Sequence, residues 1–392
     1  MEWTSPKTIT GSAAIGGHYF PRPLIDQHFW REVRKGNHIL FVAPRRVGKT
    51  SVMLNLANNS PEGFICLYQN IEGVRTKNEF YQRLFQLIIQ CHERSKVEHV
   101  QTFFRDIHQR FVTGEISKDG IKFNQELDYR IKLQQLIPEL SRATFHTVIF
   151  LDEFAEVINT LKKSNHEEDA IAILHDLREL RSEKSFKNFT IVYAGSVALE
   201  YVIRSLDRPK LINDLHPVPT EALTKAEANS FIHHLVSDAT IKIDRNTTDR
   251  ILAIVDHLLP YYIQLMIEEL DVIAMKSNDP VITSNLVDLA FENILKRNNN
   301  FEDWHTRLER YHSNDFDFLN CLLKHAAHQG NISTRDIYNY ACDPRFKREK
   351  NYMDYVHQLM NDGYLTGSHQ EGYRFVSPLL KKFWLKKFPI HD

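Results

Sequence analysis

Eight residues constrain this chain most: Ala43-Pro44-Arg45-Arg46-Val47-Gly48-Lys49-Thr50, set between the apolar run His38–Val42 and a helical stretch over Ser51–Ala57. A glycine-containing basic loop that leaves a strand and opens a helix lets successive backbone N–H groups and a helix N-terminus surround a phosphate. Lys49 then supplies charge to the β- and γ-phosphates of a nucleotide, and Thr50 offers a hydroxyl to Mg²⁺. Pro44, Arg45, Arg46, Val47, Gly48 and Ser51 complete the nucleotide-binding stretch. Ala43 occupies the place where the pattern GxxxxGK[ST] has glycine, which is tolerable only if its φ is negative.

A second signal lies far enough downstream for the intervening helices and one further strand. Val148-Ile149-Phe150-Leu151-Asp152-Glu153 is an apolar strand ending in two carboxylates, and open α/β sheets bind ligands at strand C-termini. Asp152 is expected to support Mg²⁺ and Glu153 to orient and polarise the attacking water. Phe64–Tyr68 and Phe189–Ala194 are also short, nearly continuous apolar runs, as in strands buried on both faces of a parallel sheet. Ser196, after the last of these, stands where a γ-phosphate sensor would act, although a plain Gly195-Ser196 turn fits as well. Asn70 could hold Glu153 at rest or simply turn the chain. Arg204 and Arg208 are candidate arginine fingers, with at least one of them expected to face solvent.

At 392 residues the chain exceeds one core, so two or three domains are expected. Lys+Arg of 49 against Asp+Glu of 50 gives a net charge of −1, which leaves nucleic-acid or lipid binding to a local patch. The four cysteines (Cys66, Cys91, Cys321, Cys342) show neither CxxC nor metal-ligand spacing, so a reducing cytoplasm fits. The N-terminus carries no signal-peptide pattern, and no stretch reads as a membrane span.

From about Ala222 to Asn298 the periodicity is helical only, and from Phe301 a third pattern begins. Helices are expected at Phe316–His328, Thr334–Ala341 and Glu349–Asp362, then a hairpin of Tyr364–Thr366 with Tyr373–Val376. Basic residues outnumber acidic ones after residue 342, with Lys381, Lys382, Lys386 and Lys387 clustered among Phe383 and Trp384. Such a segment could contact DNA phosphates, but Asp354 and Asp362 on the third helix suit a protein-docking role better. His325 and His328 lack a carboxylate or cysteine to complete a metal shell and read as solvated helix histidines.

Together these residues resemble the P-loop ATPases of the STAND and archaeal-type AAA+ group, related to the origin-recognition ATPases. The resemblance rests on Pro44–Ser51, Phe150–Phe154, Ala194–Ser196 and Leu259–Met266. It implies an α/β fold of the ASCE type with a parallel-sheet core over 1–220, a helical lid over 221–300 and a winged helix over 301–392. It carries Arg22, from an upstream box reduced to Phe20-Pro21-Arg22-Pro23, and Pro260, from a lid motif that has lost its glycine, into the nucleotide site. It further implies hydrolysis of ATP with Mg²⁺ and a nucleotide-dependent homo-oligomer; no nuclease or protease pattern is read in the chain, so the output is expected to pass to a separately encoded effector, in bacterial defence or signalling. The alternative is a DNA-binding loader or transposition-type ATPase.

Overall fold

A computed structural model describes residues 2–43, 45–91, 97–111, 116–117, 120–121, 128–182, 188–195, 199–297, 299–311 and 315–389. The chain divides into two compact units, one formed by 22–42 with 52–219 and the other by 1–21, 43–51 and 220–392.

The first unit is built on a five-stranded parallel sheet in the order Phe64–Asn70, His146–Asp152, Phe189–Ala194, Ile39–Val42, His216–Pro219. Every residue of Phe189–Ala194 is buried, as are Thr147–Asp152, which is why these strands carry apolar runs rather than alternation. Helices such as Pro23–Arg34, Lys77–Ile89, Phe154–Lys163 and Glu167–Ser182 contribute Phe29, Val33, Phe80, Leu84, Val157 and Leu174 to the buried set. Tyr193 pairs with Leu40 on one side and Leu151 on the other, so Phe41 and Asp152, one residue further on, stand at one level of the sheet. The strand that runs into the basic loop and the strand that ends in Asp152 thus finish at the same end of the sheet.

The fifth strand, His216–Pro219, escapes sequence reading because Pro217 and Pro219 have no N–H to give a ladder. It is tolerated at the edge, where it pairs only with Ile39–Val42 and His216 N–H donates to the His38 carbonyl at 2.8 Å.

The second unit is mainly helical: Lys225–Val236, Arg245–Val255, Pro260–Ser277, Ser284–Lys296 and Asn299–Tyr311, then Phe316–Gln329, Thr334–Ala341, Tyr352–Asn361 and Pro378–Lys387. Capping boxes at Thr224 with Glu227 and Ser333 with Asp336 start two of these helices. The expectation of helix alone over 222–298 needs one correction, since Lys242–Ile243 pairs in parallel with Val281–Ile282. Near the C-terminus Leu365–Ser368 and Gly372–Phe375 form an antiparallel hairpin, and Ile332 bridges to Tyr373. Trp304 and Trp384 are fully buried within one continuous core that gathers residues from Leu223 to Trp384 together with Val47, and Trp384 Nε1 donates to Asn320 at 2.9 Å. The N-terminal segment lies along the helices, with Lys7 N–H on the Leu235 carbonyl (2.8 Å) and Ile9 N–H on Gln264 (2.7 Å).

Candidate functional site

The strand Ile39–Val42 leads through the basic loop directly into the helix Lys49–Asn58. Ala43 is not among the residues with positive φ, so the missing first glycine is accommodated as expected. Two loop residues are left-handed, Gly48 at φ 91° and Arg46 at φ 69°. A Cβ on Gly48 would meet nothing within 4 Å, so backbone conformation alone requires glycine there. For Arg46 the same conformation costs about 1 kcal/mol, and its guanidinium lies 4.1 Å from the centre of the Tyr261 ring, a cation–π contact that holds it.

Arg45 is gripped more firmly. Its guanidinium pairs with the Asp303 carboxylate and lies 5.4 Å from the Trp304 ring centroid. Burial, with Arg307 and Arg46 close by, holds the Arg45 pKa below its ordinary value despite Asp303. Burial opposes ionisation of Asp303, yet Arg45, Arg307 and Arg46 bring its carboxyl below the usual range. Gly363 abuts the loop, since a Cβ there would lie 3.4 Å from both the Arg45 amide nitrogen and the Trp304 ring. Next to it Tyr364 Oη donates to the Trp304 carbonyl at 2.7 Å. Arg45 Nη1 and Arg46 Nε are buried donors with no hydrogen-bond partner among the described residues. A loop with a left-handed glycine, a helix N-terminus, a nearly buried Lys49 and two donors in excess of acceptors fits an anionic phosphate.

In the other unit, Asp152 is 1% exposed and both its oxygens are engaged. Oδ1 accepts the Glu153 N–H at 3.0 Å and Oδ2 accepts the Tyr68 hydroxyl at 2.9 Å. Burial, and the charge of Asp152, push the Tyr68 pKa well above its ordinary value, so the phenol stays a donor. A buried carboxylate oriented in this way is an oxygen donor of the kind that suits a hard cation such as Mg²⁺. Glu153 is itself left-handed (φ 60°, ψ 29°) at the head of the helix Phe154–Lys163, a strain of about 1–2 kcal/mol that turns the chain sharply at the strand end.

Other candidates fall as follows. Pro44 and Ser196 lie outside the described residues. Arg22 is buried and precedes the helix Pro23–Arg34. Val47 is buried in the helical unit's core, Thr50 is partly buried, and Pro260 opens the helix Pro260–Ser277 just before Tyr261. The Ser51 hydroxyl accepts the Ala14 N–H at 2.9 Å and so anchors the N-terminal segment. Arg204 and Arg208 are both exposed. Asn70 takes its turn role, accepting the Glu72 N–H at 3.0 Å. His325 and His328 are not simply solvated, because they bond to Tyr340 Oη (3.1 Å) and the Phe388 carbonyl (2.9 Å). Sequence reasoning missed Tyr68, Tyr261 and Asp303. Tyr68 shares a strand face with Asn70 by the two-residue period and Tyr261 follows Pro260, but nothing local marks Asp303.

No family model and no curated protein matches the sequence. Among solved structures, the chain is similar to the Walker-type ATPase PABY2304 of Pyrococcus abyssi, with 14% identity, TM-score 0.64, and 95% of this chain and 97% of that one covered. It is also similar to the ORC2 protein of Aeropyrum pernix in its ADPNP–ADP complexes, with 12% identity, TM-score 0.52 and 93% of each chain covered. The chain therefore shares the fold of these two proteins, built on the five-stranded parallel sheet. Among the described residues, no helix is long and apolar enough to cross a membrane.

Proposed function

We propose that this chain is an ATP-hydrolysing regulatory switch. The observation that carries the reading is that Arg45 and Arg46 of the phosphate-binding loop are held by Tyr261, Asp303 and Trp304 of the helical unit. Phosphate and the Asp303 carboxylate compete for the same guanidinium groups, so occupancy of the loop is transmitted to the helix Asn299–Tyr311 and, through Tyr364, to the C-terminal hairpin.

In this reading ATP and water become ADP and phosphate. Lys49 and the loop N–H groups hold the triphosphate, Thr50 and Asp152 hold Mg²⁺, and Glu153 orients the water. Tyr68 and the Glu153 N–H fix the Asp152 carboxylate. When bound, Mg²⁺ supplies charge neutralisation at the transferred phosphate. Arg204 or Arg208 acts as a finger across a homo-oligomer interface, and the C-terminal segment, as lid and winged helix, delivers the change of state to a separate effector.

The DNA-loader alternative loses support from the same structure. Within the helical unit Arg374 pairs with Asp256, Lys382 with Glu292 (3.3 Å), Lys387 with Glu302 (2.6 Å), Arg345 with Asp343 (2.7 Å) and Arg348 with Asp315 (2.9 Å). Meeting a phosphate backbone would cost each of these side chains its intramolecular partner, which lowers the net gain of every such contact.

Hydrogen exchange of the full chain tests the switch. A non-hydrolysable ATP analogue should raise exchange across Asn299–Tyr311 relative to the nucleotide-free chain, and Lys49→Ala should abolish the effect. Equal exchange with and without bound nucleotide would reject the coupling.

A further inference from the structure

Outside the nucleotide-site residues, two histidines converge on one buried carboxylate. His28 and Glu32 lie at i,i+4 on one face of the helix Pro23–Arg34. His216 opens the edge strand, in register with Ile39. One ligand atom from each of the three lies within 4.8 Å of the others.

The separations are informative. His28 Nε2 is 3.9 Å from Glu32 Oε1 and His216 Nε2 is 3.5 Å from Glu32 Oε2. Hydrogen bonds of these types run to about 3.2 Å, so neither imidazole is hydrogen-bonded to the carboxylate. Two ligands that share a tetrahedral cation at about 2.1 Å lie about 3.4 Å apart. We propose that His28, Glu32 and His216 form a site for a divalent transition-metal cation of the zinc, cobalt or nickel class. Two imidazoles with one carboxylate select such borderline cations over Mg²⁺ or Ca²⁺, which take oxygen ligands.

Glu32 is the inner anchor, its side chain 1% exposed, while His28 and His216 at 30% and 40% leave an open side for solvent ligands and entry. The carboxylate already accepts from Arg31 Nε (2.8 Å), Lys35 Nζ (2.9 and 3.1 Å) and Asn37 Nδ2 (2.9 Å). Arg31 and Lys35 are 62% and 56% exposed. Both cations reach the buried carboxylate from solvent-exposed stems and can swing aside for a chelated dication, at the cost of their pairing with Glu32, whereas Asn37 remains to orient the carboxylate. A bound cation would fasten the helix Pro23–Arg34 to the edge strand His216–Pro219, which pairs with the strand feeding the phosphate-binding loop.

The test uses the full chain stripped with a chelator and titrated with Co²⁺, followed by visible absorption and by equilibrium dialysis, with Zn²⁺ as competitor. One Co²⁺ per chain should bind, be displaced by Zn²⁺ and resist excess Mg²⁺. His28→Ala and His216→Ala, at partly exposed positions, should melt like the wild type without metal yet bind Co²⁺ at least about tenfold more weakly. Lys35→Ala should bind it more tightly, because a competing cation has gone. Absence of Co²⁺ and Zn²⁺ uptake by the wild type, or uptake that both histidine variants retain, would overturn the site. Unchanged affinity in Lys35→Ala would remove Glu32 from the ligand set and overturn it equally. None of these readouts depends on nucleotide hydrolysis.

Discussion

Replacing Asp303 by Asn isolates the charge that holds Arg45. The amide keeps the size and an acceptor oxygen, so what disappears is the ionic part of a pair whose arginine side chain is 16% exposed and whose carboxylate is 46% exposed. Fully exposed pairs contribute about 0–1 kcal/mol and buried ones 3–5 kcal/mol when one partner is removed. For this half-open geometry, with Trp304 still stacked on Arg45, a loss of about 1 kcal/mol is expected, a factor of about five in an equilibrium. If Asp303 competes with phosphate for Arg45, that factor appears as tighter nucleotide binding. Titration with a fluorescent ATP analogue should therefore show Asp303→Asn binding about fivefold more tightly, with the difference shrinking in high salt as the pair is screened. The Arg45→Ala, Asp303→Asn cycle should return a coupling of the same size. Unchanged or weaker affinity in Asp303→Asn would refute the competition.

Three further outcomes follow from the same geometry. Tyr68→Phe removes one hydrogen bond from Asp152 and should raise the Mg²⁺ concentration for half-maximal turnover about tenfold while ATP binding persists; an unchanged Mg²⁺ dependence would count against the role of Tyr68. His38 is buried and its Nδ1 accepts the Ile191 N–H at 3.0 Å; burial, with Arg181 and His146 beside it, takes its pKa down to about 4, and burial does the same to His146. Unfolded chains protonate both near 6.5, so between about pH 6.5 and 4 the unfolded state binds more protons and stability falls as pH falls. The loss should be about 1–2 kcal/mol per histidine from pH 7 to 5, read from urea midpoints, and His38→Asn should flatten the slope. For duplex DNA, log affinity should fall with log salt with a slope of no more than about 2, given the paired basic residues; a steep slope abolished by changing Lys381, Lys382, Lys386 and Lys387 to Glu would restore the loader reading.

The parts of the fold that are legible in sequence are those fixed by local patterns. The strands Ile39–Val42, Phe64–Asn70, His146–Asp152 and Phe189–Ala194 announce themselves as apolar runs because both faces are buried, and the C-terminal helices and hairpin fall within a few residues of their expected positions. The strand His216–Pro219 is illegible because its prolines contradict strand propensity everywhere except an edge. The loop Ala43–Thr50 and the acids Asp152 and Glu153 stand out in the sequence because the phosphate and metal chemistry proposed for them demands particular residues at fixed spacing. Asp303 and His216 carry no such spacing. Each reaches its partners through tertiary packing, and the left-handed φ of Glu153 and Arg46 is likewise imposed by surroundings that no local propensity encodes.

The most direct test of the account is phosphate release by Glu153→Gln at ATP saturation. Glu153 stands at the end of the strand carrying Asp152, and its replacement should leave ATP binding intact while lowering turnover about 10²-fold or more. Lys49→Ala, assayed alongside, should lose binding itself. Wild-type turnover in Glu153→Gln, or a wild-type chain that binds ATP and releases no phosphate, would contradict the assignment of this fold to ATP hydrolysis.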